Sequence, residues 1–244
     1  MARIKSAVDD LEQENDNKKL ISLFSPLENL ETVDPRGVSD FDYGFDDVIR
    51  VPPRNDCVYT NGFKEYYMIL FHSEENVWIL IDEVRKTQPH LLRTVYAIFI
   101  SNENQVVPIW EQKVGHGDDK DYHVFLLYHN GQRSSVYDLD SSLPFPTDFN
   151  VYSSKAIRSN RKLLPQYHRV IPGKTYLQTF SSDRSHMRKP DGTYKSPPPE
   201  YPCIQVDDCT NNITDFISMD PSVGVGQIMS VPQFFRTFMP VKKP

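Results

Sequence analysis

Long apolar runs and cysteines are both scarce in this sequence. No run of about 18 apolar residues occurs, which argues against a transmembrane helix. The first residues also lack the basic and then apolar pattern of a secretory signal. The three cysteines, Cys57, Cys203 and Cys209, are an odd number that does not suit a disulfide framework. We therefore expect no membrane partner and the reducing setting of the cytoplasm or the nucleus. We also expect the chain to be a monomer.

Positive charge is not concentrated anywhere in the chain. There are 27 Lys and Arg against 33 Asp and Glu, for a net charge of −6. Residues 1–50 hold 12 acidic and 6 basic residues and so account for the whole excess. Because no basic patch with interleaved aromatics occurs, nucleic acid is not an expected partner. We predict an acidic, mostly disordered extension at residues 1–50 and one packed domain at residues 51–244.

An amphipathic helix is predicted from Ser73 onward. The serine can cap the helix N-terminus, and Glu74 and Glu75 complement the positive end of the helix dipole. Apolar residues then recur at i, i+3, i+4 and i+7 and give the helix one face to bury. These residues are Val77, Leu80, Ile81 and Val84.

A run of strands is predicted after this helix. The segments with β-branched and aromatic enrichment are residues 94–100, 106–110, 121–128 and 133–140. Together they would form an antiparallel meander of at least four strands. One helix followed by a run of strands is typical of an α+β fold with the helix packed on the sheet.

The chain beyond Pro144 is rich in proline and polar residues, and we expect it to be irregular. Short helices are predicted near residues 151–158, 174–180 and 232–238. A polar cluster at residues 183–187 fits either a loop scaffold or the lining of a site.

A histidine and an aspartate are predicted to meet across a hairpin. Asn130-Gly131 lies between two of the strands, and Asn-Gly is a strong signal for a two-residue type I′ turn. With that turn His123 faces Asp138, and directly opposed side chains are within reach of a hydrogen bond. A carboxylate there fixes the imidazole tautomer and stabilises imidazolium, as hydrolytic triads require. A solvated pair on a surface hairpin would have the same spacing, so the pairing alone leaves both interpretations open.

A triad also needs a nucleophile, ideally at a helix N-terminus, where the dipole and the free N–H groups lower a thiol pKa and hold an oxyanion. Ser73 occupies such a place, although a serine there is first of all a helix cap. A third interpretation is a metal site built from His123, His129, Asp138 and Cys203. Because no paired ligand spacing such as Cys-x-x-Cys supports it, we do not expect this metal site.

Ten short motifs occur in a characteristic order along the chain. They are CVY (57–59), EENVW (74–78), FISNE (99–103), PIW (108–110), DYHV (121–124), YDLD (137–140), LPFP (143–146), SDRSHM (182–187), PPEYPCI (198–204) and FISMDP (216–221). Over about residues 56–238 this series closely resembles the family of protein N-terminal glutamine amidohydrolases. The resemblance implies a papain- or transglutaminase-like α/β fold in which the helix that bears the nucleophile packs on an antiparallel sheet.

The resemblance also implies an activity. The family deamidates the side chain of an N-terminal glutamine to glutamate with release of ammonia, which feeds the N-degron pathway of protein degradation. Its implied partners are proteins or peptides with a free N-terminal glutamine, and no metal or organic cofactor is implied. The histidine and aspartate of the family's Cys-His-Asp triad fall on His123 and Asp138, the pair that the hairpin predicts.

One part of the chain departs from the family pattern. The family's nucleophilic cysteine directly precedes Glu-Glu-Asn, and Ser73 stands there instead. Tyr59 and Ser73 are separated by 13 residues where the family has four, so residues 62–72 should lack a place in the core. A natural loss, an engineered change and a mis-predicted splice junction each explain the serine, and the extra length favours the last. We expect the chain as written to be nearly inactive. The alternative is a catalytically inactive module that binds N-terminal glutamine or a partner.

Overall fold

The structure is a computed structural model that describes residues 49–51, 73–113, 121–157, 165–195, 198–199, 201–206 and 208–240. The predicted acidic extension lies outside these ranges except for its last two residues. Cys57 and the insertion at residues 62–72 also lie outside them, so the expectations about these segments stay predictions.

Five α-helices and six strands occur within the described ranges. The helices are α1 (Ser73–Thr87), α2 (Phe149–Lys155), α3 (Gly173–Thr179), α4 (Ile213–Ile217) and α5 (Val231–Phe238), with 3-10 helices at Pro89–Thr94 and Ser185–Met187. The strands are β1 (Val95–Ser101), β2 (His123–His129), β3 (Ser134–Tyr137), β4 (Thr147–Asp148), β5 (Tyr167–Pro172) and β6 (Gln227–Ser230). None of these helices has the length and apolar character that a membrane crossing requires.

The six strands form one antiparallel sheet in the order β4-β3-β2-β1-β5-β6. The predicted α+β class is therefore confirmed. Helices cover both faces of the sheet, because residues of β1 alternate between two buried clusters. Ala97 and Phe99 pack with α1 and α3 on one face. Ile98 and Ile100 pack with α2 and α5 on the other face.

Helix α1 has the buried face that its sequence predicts. The apolar residues at i, i+3, i+4 and i+7 are each at most 3 % exposed. They pack on alternate residues of β2, among them Val124 and Leu126. Burial of this face fixes α1 against the sheet. Ser73 is the first residue of this helix.

The hairpin between β2 and β3 has a longer turn than the Asn-Gly signal predicts. Its last pair joins His129 to Ser134, so the loop contains four residues rather than two. The side chain of Asn130 accounts for the difference, because its oxygen accepts hydrogen bonds from the backbone N–H groups of Gln132 (3.0 Å) and Arg133 (2.8 Å). The pairing is consequently displaced by two residues, and a displacement of two keeps each side chain on its predicted face.

The predicted strand at residues 106–110 is not present as a member of the sheet, and β1 pairs directly with β2. Asn102 bends the chain away from the sheet at this point. Its side-chain nitrogen donates to the carbonyl of Val106 (2.6 Å), and its oxygen accepts from the N–H of the same residue (3.1 Å). Pro108 then lacks the N–H that a ladder would need.

The chain beyond Pro144 is more regular than predicted. The three short helices are present as α2, α3 and α5, with ends that differ by at most three residues from the predicted ones. Three strands, β4, β5 and β6, were not predicted. Strand β5 carries His168 and Arg169 among its buried residues, and these polar residues break the apolar pattern of a central strand.

Candidate active site

His123 and Asp138 are in contact, as predicted. Nε2 of His123 lies 3.0 Å from Oδ2 of Asp138, and the two side chains are only 1 % and 3 % exposed. The displaced register makes this contact diagonal rather than directly opposed, and diagonal neighbours still reach each other when their side chains are long. With Nε2 donating to the carboxylate, Nδ1 is the basic nitrogen of the ring. That Nδ1 has no hydrogen bond to any described residue.

Asp138 accepts several further hydrogen bonds. The hydroxyl of Tyr152 (2.7 Å) and the side-chain amide of Gln112 (3.2 Å) donate to Oδ2, and the N–H of Asp140 (3.0 Å) donates to Oδ1. Burial by itself raises the pKa of Asp138, but the charge of His123 and the hydrogen bonds outweigh burial and hold that pKa well below its usual range. An ionised carboxylate orients the imidazole and stabilises its protonated form.

Ser73 is half-buried at the start of α1 and lines a small pocket. The face of α1 that begins at Ser73 forms one wall of this pocket, and the chain from Tyr137 to Asp140 forms another. Ser73 and Asp138 thus share the pocket, although no hydrogen bond joins Ser73 to His123. The N–H groups of a first helical turn are suited to bind an oxyanion next to residue 73.

Buried polar contacts hold the first turn of α1 in place. Glu75 is fully buried and accepts hydrogen bonds from Nε (3.0 Å) and Nη2 (2.8 Å) of Arg184. Glu74 is equally buried and accepts from the hydroxyl of Tyr122 (3.0 Å), while the hydroxyl of Tyr176 donates to its backbone carbonyl (3.0 Å). Arg184 belongs to the polar cluster of the sequence analysis. That cluster therefore lies behind the helix start and supports the position of residue 73.

The four residues of the metal interpretation do not form a common group. His129 is at the opposite end of β2 from His123, and its Nδ1 lies 2.8 Å from the hydroxyl of Ser134. Cys203 is a free and partly exposed thiol. Within the described ranges, no cluster of three or more His, Cys, Asp or Glu side chains could hold a metal ion.

A second buried histidine, His168 on β5, has a different environment. Its ring stacks on Phe234 with centroids 4.1 Å apart and an interplanar angle of 8°. Neither ring nitrogen has a hydrogen-bond partner among the described residues. Burial lowers the pKa of His168 to about 3, so the ring is neutral at physiological pH. His168 does not line the pocket of Ser73.

Comparison with known proteins identifies the family. A sequence model of the N-terminal glutamine amidase family matches residues 67–238. The chain is 45 % identical to the protein N-terminal glutamine amidohydrolase of Danio rerio over 194 residues, which cover 77 % of this chain and 92 % of the relative. The chain belongs to the N-terminal glutamine amidase family. Relatives of the same name from Bos taurus and Drosophila melanogaster are 43 % and 44 % identical over 77 % of this chain and over 89 % and 91 % of their own length.

The region shared with the amidase family contains all three predicted site residues, Ser73, His123 and Asp138. Their catalytic roles stay predictions.

The sequence did not predict the residues that hold His123 and Asp138 in place. Tyr152 lies in a helix that was predicted, but only the packing of α2 beside β3 brings its hydroxyl to Asp138. Gln112 follows a segment that was wrongly predicted to be a strand. A buried aspartate is expected to accept several hydrogen bonds, but this expectation does not identify the residues that donate them.

Proposed function

We propose that this chain has the site of a protein N-terminal glutamine amidohydrolase, which converts the side-chain amide of an N-terminal glutamine to a carboxylate and releases ammonia. The observation that carries the proposal is the buried contact between His123 and Asp138 in a member of the amidase family. Ser73 and Asp138 also line one small pocket at the start of a helix, which supports the proposal.

The proposed reaction passes through a covalent intermediate. The side-chain atom of residue 73 gives its proton to His123 and forms a bond to the amide carbon. The bond between that carbon and the amide nitrogen breaks, and His123 transfers the proton to the departing ammonia. A water molecule then loses a proton to His123 and attacks the acyl carbon. The glutamate product leaves, and the proton returns to residue 73.

Asp138 has a positioning role in this scheme. Its carboxylate accepts the Nε2 proton of His123, so that Nδ1 is the nitrogen that moves protons. Because Asp138 stays ionised, it stabilises the imidazolium that forms at each transfer. Tyr152 and Gln112 fix the carboxylate in turn.

We also infer the finer fold class, a papain- or transglutaminase-like core. The support is that α1 packs on the antiparallel sheet and begins at the predicted nucleophile position, as such hydrolases require. A single chain supplies His123, Asp138 and Ser73, which supports action as a monomer. Two free thiols, Cys203 and Cys209, support the expectation of a cytoplasmic or nuclear setting.

The serine at position 73 supports a second candidate function. A thiol with a pKa of about 8.5 can be brought to its ionised form at neutral pH, whereas a serine hydroxyl is much harder to ionise. The chain as written would then bind a peptide with an N-terminal glutamine in the pocket and turn it over extremely slowly. In this alternative the protein is a binding module that keeps the histidine–aspartate pair of its enzyme relatives.

The test is to restore the cysteine and to measure ammonia. We expect Ser73→Cys, alone or with residues 62–70 removed, to raise ammonia release well above background from peptides that begin with glutamine. Matched peptides with an internal glutamine or an acetylated N-terminus are the controls and should yield none. If the folded cysteine variant releases no ammonia from any glutamine-initiated peptide but still binds it, the binding module takes the place of the enzyme.

A further inference from the structure

The first turn of α1 is held by polar contacts rather than by the apolar face of the helix. That face begins at Val77, and residues 73–76 before it are a serine, two glutamates and an asparagine. Glu74 and Glu75 are nevertheless fully buried. Because apolar packing fixes α1 only from one turn further along, the place of residue 73 must be set by what these two glutamates contact.

Arg184 makes a two-pronged contact with this turn. Its Nε donates to both carboxylate oxygens of Glu75, at 3.0 and 3.2 Å, and its Nη2 donates to one of them at 2.8 Å. The two side chains are 5 % and 0 % exposed. Such a bidentate ion pair fixes direction as well as distance. Residues two apart in an α-helix have Cα atoms about 5.5 Å from each other, so the anchored glutamate lies close to residue 73.

The guanidinium of Arg184 also holds a third segment of the chain. Its Nη1 donates to the carbonyl of Tyr201 at 3.1 Å, and its central carbon lies 4.8 Å from the centroid of the Tyr201 ring. Three motifs of the sequence analysis therefore meet at one side chain. They are EENVW through Glu75, SDRSHM through Arg184 itself and PPEYPCI through Tyr201. The proposed reaction gives none of these three residues a chemical step.

The backbone at Arg184 has a conformation that residues other than glycine seldom adopt. Its φ is 59° and its ψ is 18°, in the left-handed region. The N–H of Arg184 donates to Oγ of Ser182 at 3.3 Å. On either side of it, the side-chain nitrogen of Asn211 donates to Asp183 at 2.7 Å and to Ser185 at 2.9 Å. A backbone of this kind persists where the surrounding structure requires it, and such positions cluster at functional sites.

We infer that Arg184 is a positioning residue for the proposed reaction, and that it acts through Glu75 to set the place of residue 73 and of the first-turn N–H groups of α1. A buried ion pair adds little net stability compared with an apolar pair of similar size, so stability alone does not account for this contact. A rigid contact beside the nucleophile position does have a use in catalysis, because a misplacement of about 1 Å can lower a rate by about a hundredfold. This inference rests on the proposed function.

The test compares two buried arginines in the Ser73→Cys background. Arg169 is the matched control, because it is 1 % exposed and its guanidinium also donates to backbone carbonyls, those of the loop at residues 218–225. Replacement by lysine keeps the charge at either position and removes the planar fork of donors. Urea unfolding gives the folded fraction of Arg184→Lys and of Arg169→Lys, so that rates can be expressed per folded molecule.

The readouts are kcat and KM for ammonia release from a glutamine-initiated peptide. Arg184→Lys should lower kcat by about tenfold to a hundredfold and change KM by less than about threefold, because the displaced residue 73 takes part in the chemical step. Arg169→Lys should leave both constants within about threefold of the parent. Glu75→Gln removes the carboxylate of the same ion pair and should lower kcat in the same way, so it serves as the test if Arg184→Lys does not fold.

Two results would overturn the inference, and they are distinguishable from each other. If kcat per folded molecule is the same for the Arg184 and Arg169 variants, Arg184 serves stability alone, and the proposed function stands. If the Ser73→Cys protein itself releases no ammonia from a glutamine-initiated peptide, the proposed function fails together with the inference.

Discussion

Two buried histidines lie in one row across the sheet, and their surroundings differ almost completely. Ile100 of β1 pairs with His123 on β2 and with His168 on β5, so the two rings point to the same face of the sheet. His123 contacts an ionised carboxylate that is itself supported by Tyr152 and Gln112. His168 contacts the face of Phe234 and lacks a described hydrogen-bond partner.

The comparison shows that burial alone does not make a histidine suitable for proton transfer. A buried imidazole without a counter-charge is held neutral, as the lowered pKa of His168 indicates. A buried imidazole beside a carboxylate can accept and release a proton, because the charged form is stabilised where it is formed. The neighbouring side chains, rather than the position in the sheet, assign the two residues their different roles.

The largest expected effect comes from removing the charge beside His123. In the Ser73→Cys background, Asp138→Asn should lower the rate of ammonia release by about 10² to 10⁴, as much as the loss of His123 itself, because the amide neither selects the correct tautomer nor stabilises imidazolium. Circular dichroism should show a folded protein, since the amide retains most of the hydrogen-bonding capacity. A rate within threefold of the parent would mean that the carboxylate is not needed, and the contrast between the two histidines would lose its basis.

An intermediate effect is expected when His168 is replaced. The pKa of His168 is about 3 in the folded chain and 6.5 in its ordinary state, so the unfolded chain binds an extra proton between these values. Stability from this group is therefore complete above pH 6.5 and falls as the pH drops toward 3. By pH 5 the loss is about 2 kcal/mol.

The variant for this prediction is His168→Leu, which has no titrating group. Urea unfolding at pH 7 and at pH 5 should show a smaller loss of stability in the variant than in the unchanged chain, by about 2 kcal/mol. Equal losses in both proteins would show that the ring of His168 has a proton acceptor in the folded state.

The smallest effect is expected when one of the hydrogen bonds to the carboxylate of Asp138 is removed. Tyr152→Phe removes one of the three donors to Oδ2 of Asp138 and leaves the other two. The loss of one net hydrogen bond is about 1 kcal/mol, which corresponds to a fewfold lower rate of ammonia release in the Ser73→Cys background. A loss as large as that of Asp138→Asn would instead give the tyrosine hydroxyl a direct part in proton transfer.

The sequence predicted the pair at the site but not the details of the turn that brings it together. Asn130 and Gly131 mark the position of the reversal correctly, and Gly131 has the positive φ of 87° that such a position favours. The extra loop length depends on the side chain of Asn130, which binds two backbone N–H groups. The contact of His123 with Asp138 is present in spite of the different register, because a shift of two residues preserves the face.

Polar residues in buried places account for most of what the sequence did not predict. Arg169 interrupts the apolar pattern of β5, yet its guanidinium is satisfied by the backbone carbonyls of Ser218, Asp220 and Val225. Glu75 was predicted to act only on the helix dipole, and its partner is 109 residues away in the sequence. Hydrophobic periodicity identifies the buried face of a helix or strand. It carries no information about which distant polar group forms the hydrogen bond to a buried polar side chain.

The most direct measurement of the central claim compares the two histidines in one assay. Ammonia release from a glutamine-initiated peptide is followed for Ser73→Cys and for the same protein with His123→Ala or with His168→Leu. The account predicts that His123→Ala lowers the rate by about 10² to 10⁴, because proton transfer by a positioned histidine is lost. His168→Leu at neutral pH should leave the rate within about threefold, because a neutral buried ring has no part in proton transfer. Equal rates in the two folded variants would contradict the assignment of His123 as the proton-transfer residue.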